Sequence, residues 1–315
     1  MSLGFQNAGF DIIAAFDRWE PAVRTYACNF AHPIYKTDLS DEEASARMVD
    51  LLAPDLIIGG PPCQDFSSAG KRNGNGERAN LTLSFARIVA VAKPVLFVME
   101  NVSTIIHADV FTCAKEIFKT AGYGLTYKVL NAALCGVPQR RKRFIMIGVL
   151  GGNDDELSPY LTRHLSTKEM TVRDYFGDKL GLECYYRHPR SYVRRGIFSV
   201  DEPSPTIRGV NRPIPAGYEL HKNDPVSDFE NIRPLTTGER SQIQTFPKDF
   251  HFEGSKTDVE QMIGNAVPVK LAEFVARALV EFLKEHPLVS PIRKSPYPFR
   301  RTPGSIIRQR LFTSQ

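Results

Sequence analysis

Short apolar runs alternate with stretches of helical periodicity along the first half of the chain. Asp11-Ile12-Ile13-Ala14-Ala15-Phe16 predicts a strand ending at Asp17. Asp55-Leu56-Ile57-Ile58 and Val95-Leu96-Phe97-Val98-Met99 are short, apolar and rich in β-branched or aromatic residues, so both predict buried strands. Tyr127 to Asn131 and Phe144 to Val149 predict two more, and a short stretch before Asp38 a further strand end. Helices are expected between them. Met1 to Gly9 reads as the end of a turn and a helix, and Pro21 to Phe30 as a helix with proline in its first turn. Glu42 to Leu52 follows as another. Leu81, Phe85, Ile88, Val89 and Ala92 recur at helical spacing up to Pro94. Asp109 to Ala121 has an apolar face of Val110, Ala114, Ile117, Phe118 and Ala121, with Gly122 as its C-cap. Strands alternating with helices predict an α/β fold, with a largely parallel sheet covered on both faces.

The alternation stops near Gly151-Gly152-Asn153-Asp154. From there to about Arg233 come proline, glycine, arginine and aromatics without long periodicity, which places a domain boundary at the shift. Regular helix returns at Val269 to Glu285, with Leu271, Phe274, Val275, Ala278, Leu279, Phe282 and Leu283 on one face, and Pro287 ends it. The tail beyond carries Arg293, Lys294, Arg300, Arg301, Arg308 and Arg310 and no acid. It is expected to be poorly packed and dispensable for chemistry.

The sharpest punctuation is Gly59-Gly60-Pro61-Pro62-Cys63-Gln64. Proline cannot continue a ladder, and glycine reaches backbone angles that other residues do not. The strand therefore stops abruptly and presents Cys63 on a stiff loop at its carboxyl end, where ligands bind in open α/β sheets. A lone cysteine is more often a small buried hydrophobe. Here the basic loop Gly70 to Gly76 follows, and nearby positive charge favours the nucleophilic thiolate.

Composition adds bounds. The 315 residues allow one large domain and a smaller one, and 42% hydrophobic with 24% charged content fits a soluble globular protein. No apolar run approaches the ~18 residues of a membrane span, and no secretory signal is visible at the N-terminus. The five cysteines are odd in number and form no C-x-x-C pair, which reads as free thiols in a reducing compartment. A net charge of +5 permits a polyanionic partner without demanding one.

Other residues carry weaker signals alone. Asp17 and Asp38 sit at strand ends, where a carboxylate serves either a ribose or a helix cap. Glu100 ends an apolar strand, so it is partly desolvated and able to hold or share a proton, or else to pair structurally with a base. Gln139-Arg140-Arg141-Lys142-Arg143 leads into a strand, and alternation puts Arg141 and Arg143 on one side. Gly264-Asn265-Ala266-Val267-Pro268-Val269 reads as a turn opening the last helix, with Asn265 near its N-cap.

Taken in order, Pro62-Cys63-Gln64, Glu100-Asn101-Val102, Gln139 to Arg143 and Gly264 to Val269 resemble the motif series of the DNA cytosine-5 methyltransferases, of the bacterial restriction-modification type. Arg233-Pro234-Leu235-Thr236 through Phe246-Pro247-Lys248-Asp249-Phe250 resembles the segment preceding the last motif, so the likeness covers nearly the whole chain.

The resemblance implies a Rossmann-like, S-adenosyl-L-methionine-dependent methyltransferase sheet with a smaller irregular target-recognition domain. Residues 1–150 would form the catalytic and cofactor domain, with 262–287 returning to it, 151–261 the recognition domain and 288–315 the basic tail. It implies Cys63, Glu100, Arg141 and Arg143 as catalytic residues. Phe5, Asp17, Arg18, Trp19, Asp38, Leu39, Pro61, Asn265, Ala266 and Val267 would meet the cofactor. Gln64, Ser67, Ser68, Lys71, Arg72, Arg194, Arg195, Arg208 and Arg212 would meet duplex DNA, with Tyr185, Tyr186, Tyr192 and Phe198 clustered among the recognition arginines. No metal is implied. A monomer in the bacterial cytoplasm, with a cognate restriction endonuclease acting separately, completes the picture.

Family members begin with a strand and a glycine-rich turn ahead of the segment resembling Leu3-Gly4-Phe5. Neither is visible here. The expectation is a gap in the sheet between the strands ending at Asp17 and at Cys63, weak cofactor binding and poor activity. Two rival readings are an RNA cytosine-5 methyltransferase and a weak or inactive DNA-binding homologue.

Overall fold

The computed structural model describes residues 1–62, 77–189, 191 and 193–287. The expectations for Cys63, Gln64, Ser67, Ser68, Lys71, Arg72, Tyr192 and the tail 288–315 lie outside the described residues. In chain order the first elements are α1 (Ser2–Asn7), β1 (Ala15–Asp17), α2 (Glu20–Asn29), β2 (Ile34–Lys36), α3 (Glu42–Leu52) and β3 (Leu56–Gly59). Then come α4 (Glu77–Ala92), β4 (Leu96–Val102), α5 (Asp109–Thr120), β5 (Tyr123–Asn131), β6 (Gln139–Arg140), β7 (Lys142–Leu150), α6 (Tyr160–Arg163) and α7 (Val172–Phe176). The last are β8 (Cys184–Tyr186), β9 (Ile197–Ser199), β10 (Ser204–Pro205), α8 (Thr237–Ile243), α9 (Lys256–Asn265) and α10 (Val269–Glu285).

The chain divides into two compact units. One comprises Met1–Leu130, Lys142–Leu165 and the chain from Ala272; the other comprises Asn131–Arg141 and Ser166–Leu271. This differs from the expected boundaries at 150 and 262. Residues after 150 stay with the first unit because α6 packs on α10: the Tyr160 ring lies 5.6 Å from that of Phe282, and its hydroxyl donates to Glu285 at 2.5 Å. The stretch before Leu271 belongs to the second unit because Val269 N donates to Gln244 O and Lys270 N to Thr245 Oγ1.

In the first unit the main sheet runs β3-β4-β7-β5. β3 and β4 are parallel, whereas β4 and β7 are antiparallel, so this sheet is mixed rather than largely parallel. The reason is the connection. A parallel return needs a crossover of about a dozen or more residues, usually a helix. Between β5 and β7 lies only the segment 132–141, which contains β6 but no α-helix and is closed by the Ala132 N to Arg141 O bond. β1 and β2 pair in parallel as a sheet of their own, and among the described residues no ladder joins them to β3.

Helices α4 and α5 bury their apolar faces on the main sheet. Phe97, Met99, Phe118, Phe144 and Met146 form the centre of that core, with Phe97 and Phe118 stacked at 4.2 Å. Each such side chain contributes about 1.5–3 kcal/mol by leaving water. α3 begins where Asp41 accepts from Ala44 N, and buries Ala46 and Val49 against Ile88 and Ala92 of α4. These layers fix β3 and β4 side by side, and with them the two strand ends that carry the chemistry.

The second unit has little regular structure. β8 and β9 form an antiparallel pair, and β6 pairs in parallel with β10. Its core gathers Val172, Phe176, Tyr185, Phe198, Ile207, Leu235, Ile243 and Ile263. Helices α7, α8 and α9 each open with a reciprocal capping box: Thr171 with Asp174, Thr236 with Glu239, and Ser255 with Asp258. Among the described residues, no helix is long and apolar enough to cross a membrane.

Candidate active site

Glu100 lies near the end of β4, and Arg143 near the start of β7. The register sets Val102 opposite Arg143. Glu100 is two residues before Val102, so its side chain shares the same face. The Arg143 Nε approaches Glu100 Oε1 at 2.8 Å, and Arg143 Nη1 donates to Lys142 O at 2.8 Å. Both side chains are largely buried, 14% and 11% exposed for Arg143 and Glu100. Burial lowers the Arg143 pKa, and the Glu100 charge opposes that shift. The result is a carboxylate held in one orientation by a planar, permanently charged group.

The loop carrying Cys63 leaves β3 alongside this pair. Gly59 pairs with Met99, so Gly60 comes level with Glu100. A Cβ on Gly60 would lie 3.1 Å from Glu100 Oε2, and one on Gly59 would enter the Phe85 ring at 2.5 Å. Two glycines let the backbone pass at this range. Asn101 then fastens the loop: its Nδ2 donates to Pro61 O at 3.1 Å, while its Oδ1 accepts from Val102 N at 2.8 Å. Asn101 was quoted within a motif but given no role from sequence, and only its place beside Glu100 hinted at one.

Arg141 lies elsewhere. It belongs to the second unit and is 2% exposed. Its Nη1 donates to Ile207 O at 3.0 Å, and its Nη2 to Gly264 O at 2.9 Å and Ala266 O at 3.1 Å. The alternation argument failed because the chain breaks its strand at Arg141, between β6 and β7. Arg141 holds the backbone carbonyls of Ile207, Gly264 and Ala266.

Asp17 and Asp38 leave neighbouring parallel strands at their carboxyl ends. Asp17 Oδ1 accepts from Trp19 N at 2.8 Å, just before the start of α2. Asp38 Oδ1 accepts from Ser40 N at 2.9 Å, and its Oδ2 lies 3.4 Å from Arg18 Nη1. The Ser40 backbone N–H lowers the Asp38 pKa most, with Ser40's side chain and Arg18 adding to it. Two carboxylates at adjacent strand ends suit the hydroxyl and amine donors of a nucleoside. Trp19 and Leu39 are half-buried beside them, Leu39 packing on the core under α3. Phe5 departs from expectation. It is 0% exposed and packs on Phe10 at 5.4 Å, so it is core and offers no surface to a ligand.

In the second unit, Asn265 is exposed, Ala266 half-buried and Val267 buried. Asn265 ends α9 rather than opening the last helix, which starts at Val269.

The recognition arginines separate into engaged and open ones. Arg195 pairs with Glu202 and stacks over Phe198 at 4.3 Å. Arg208 donates to His188 O. Arg194 and Arg212 are exposed, next to the exposed Val193 and near the exposed Val210 in sequence. Tyr185, Tyr186 and Phe198 are buried and belong to the core, with Phe198 also lying under Arg195. Gln139 and Gln244 are 0% exposed and hydrogen-bonded to each other at 2.8 Å. Gln244 lies 105 residues further along, and nothing in its local sequence announces this contact.

The family model for C-5 cytosine-specific DNA methylase matches residues 1–281. The type II methyltransferase M.HindV of Haemophilus influenzae is 58% identical over 286 residues, covering 90% of this chain and 94% of the relative. The type II methyltransferase M.HgiDI of Herpetosiphon aurantiacus is 54% identical, covering 90% and 92%. Among solved structures, the S. pombe Dnmt2 methyltransferase aligns with a TM-score of 0.65 at 16% identity, over 90% of this chain and 95% of that one. That level of identity speaks for the fold alone. The chain belongs to the C-5 cytosine-specific DNA methylase family, whose members are enzymes that use S-adenosyl-L-methionine.

Proposed function

We propose that this chain methylates C5 of cytosine within a specific duplex DNA sequence, as the modifying member of a restriction-modification pair, through a covalent Cys63 adduct on a flipped-out base. The observation that carries the reading is the Glu100–Arg143 pair beside the backbone of Gly60, three residues before Cys63 in sequence. A cognate endonuclease acting separately, a monomeric state and a cytoplasmic place of action go with this reading.

Cytosine C5 is a poor nucleophile. The Cys63 thiolate forms a bond to C6, and the ring electrons move through C4 towards N3. Glu100 faces N3 and supplies the proton that neutralises it, leaving C5 enamine-like. Arg143 holds Glu100 and directs positive charge at O2. Loss of the C5 proton to water, expulsion of the Cys63 thiolate and return of the N3 proton to Glu100 restore the neutral aromatic ring. S-adenosyl-L-methionine, when bound, supplies an electrophilic sulfonium methyl. Asp17 would accept from its ribose and Asp38 from its adenine amine, and Asn265, Ala266 and Val267 are read as further cofactor contacts. Because C6 lies inside the duplex stack, the base must leave it, at a cost of a few kcal/mol offset by pocket contacts. Arg194 and Arg212 supply phosphate or guanine contacts.

Parallel assays on duplex DNA and on tRNA test the substrate class, with 5-methylcytosine read by mass spectrometry. Label in DNA alone is expected. Label in tRNA alone would select the RNA reading, and label in neither would leave a non-catalytic DNA binder.

A further inference from the structure

Two bridges run between one residue, Ile207, and one turn of the second unit. On the first, Ile207 N donates to Gln139 Oε1 at 2.8 Å, and Gln139 Nε2 donates to Gln244 Oε1 at 2.8 Å. Gln244 Nε2 continues to Ile263 O at 2.5 Å and Ala266 O at 3.1 Å. On the second, Arg141 alone spans the gap, taking Ile207 O with one nitrogen and the carbonyls of Gly264 and Ala266 with the other. Both the N–H and the C=O of the Ile207 residue are therefore tied to the turn that carries Asn265.

The backbone contact agrees. A Cβ on Gly264 would lie 2.1 Å from Gly209 N and 2.3 Å from Arg208 C, so the two segments touch without side chains between them. Arg240 adds a hydrogen bond to Arg208 O, and its Nε pairs with Glu260 at 2.7 Å. The segment from Ile207 to Gly209 leads into the exposed Val210 and Arg212. Backbone contact and buried hydrogen bonds thus join that segment to the Asn265 turn.

We infer that Gln139, Arg141 and Gln244 form a clasp that couples DNA recognition to cofactor binding: they are positioning residues that transmit the seating of the 207–212 segment to Asn265. The inference rests on the proposed roles of Asn265 in the cofactor site and of Arg212 at the DNA. Such coupling is a free energy shared by two sites and acts equally in both directions.

The test measures DNA affinity with and without S-adenosylhomocysteine, a non-reacting probe of the cofactor site. The DNA is a duplex carrying the sequence found methylated in a host that expresses the chain. The wild-type protein should bind it on the order of 10-fold more tightly with the probe present. Gln244→Leu should bring that ratio down to about 2-fold or less. The double variant Gln139→Leu with Gln244→Leu cuts the bridge at both amides and also takes the side-chain partner from Ile207 N, so it should show a ratio no higher than the single variant. Gly148→Ala, which overpacks the core of the first unit, is the control for lost stability: it should melt below wild type and keep the wild-type ratio. Loss of the ratio in Gly148→Ala, in step with its lost stability, overturns the inference. So does a wild-type ratio near one. Absence of 5-methylcytosine in the expressing host sinks the functional reading and this inference with it, whereas methylation with unaltered coupling in both leucine variants sinks the inference alone.

Discussion

Arg143 grips Glu100 through its Nε at 2.8 Å, and the carboxylate's second oxygen faces the Gly60 backbone. A lysine keeps the charge at position 143 but loses the planar fork that fixes the carboxylate. Arg143→Lys is expected to fold and to lower kcat by about 10²–10³, the scale of removing one preorganised stabilising group. Steady-state kinetics alongside a melting curve checks this. Arg143→Ala should instead cost stability, about 3–5 kcal/mol, by leaving a buried carboxylate unpaired.

Gly60 separates activity from stability. Its own surface is exposed, but a methyl group there presses on Glu100 Oε2 from 3.1 Å. Gly60→Ala should therefore change stability by no more than about 0.5 kcal/mol while reducing turnover. Gly148→Ala is the contrast. Its Cβ would sit 1.9 Å from Phe97 Cε1 in the core, and overpacking there costs about 1–3 kcal/mol. Denaturant titration of both variants, with kcat measured on each, distinguishes the two effects.

The ion pair of Arg240 with Glu260 is 4% exposed on both sides. Burial lowers the Arg240 pKa, and Glu260 opposes the shift. Removing Arg240 leaves the buried Glu260 carboxylate with only neutral donors, Thr237 Oγ1 at 2.7 Å and Asn211 Nδ2 at 3.4 Å. Arg240→Met should destabilise the second unit by about 3–5 kcal/mol, and Arg240→Met with Glu260→Leu should recover much of it. Urea midpoints of the two variants read this directly.

His188 makes stability sensitive to acid. Burial lowers its pKa from 6.5, and Arg212, Arg208 and Arg187 lower it further. The folded state therefore favours the neutral ring, and the unfolded chain takes up the proton first as the pH falls. Its contribution is fully present above pH 6.5 and is lost between 6.5 and the lower folded pKa. His188→Asn should flatten the stability curve in that window. His32 is lowered by burial too and remains in both proteins, so the difference between the curves is the measure.

Much of the fold was legible in the sequence. The helices Glu42–Leu52 and Val269–Glu285 fall where periodicity put them, because each has one apolar face to bury. The direction of β7 was not legible, because an apolar run says nothing about whether its neighbour runs parallel. α8 and α9 were missed although Thr236 with Glu239 and Ser255 with Asp258 spell capping boxes; the surrounding proline and aromatics masked them. At the site, Glu100 and Arg143 could be read as a motif, and strand register explains their meeting. Arg141 was misplaced because side-chain alternation assumes an unbroken strand. Gln244 was invisible because its partners are Gln139, Ile263 and Ala266, two of them backbone carbonyls, and no local pattern encodes them.

The central claim is nucleophilic attack by Cys63, and a trapping experiment tests it most directly. Duplex DNA carrying 5-fluorocytosine at the methylated position blocks loss of the C5 substituent, so an enzyme that adds through sulfur stays attached. The account predicts a denaturant-stable protein–DNA adduct that needs S-adenosyl-L-methionine, and none with Cys63→Ser, because an alcohol is a far weaker nucleophile than a thiolate; that variant should still bind DNA. Turnover by Cys63→Ser near the wild-type rate, or 5-methylcytosine formation by the wild-type protein with no adduct on the fluorinated duplex, would contradict it.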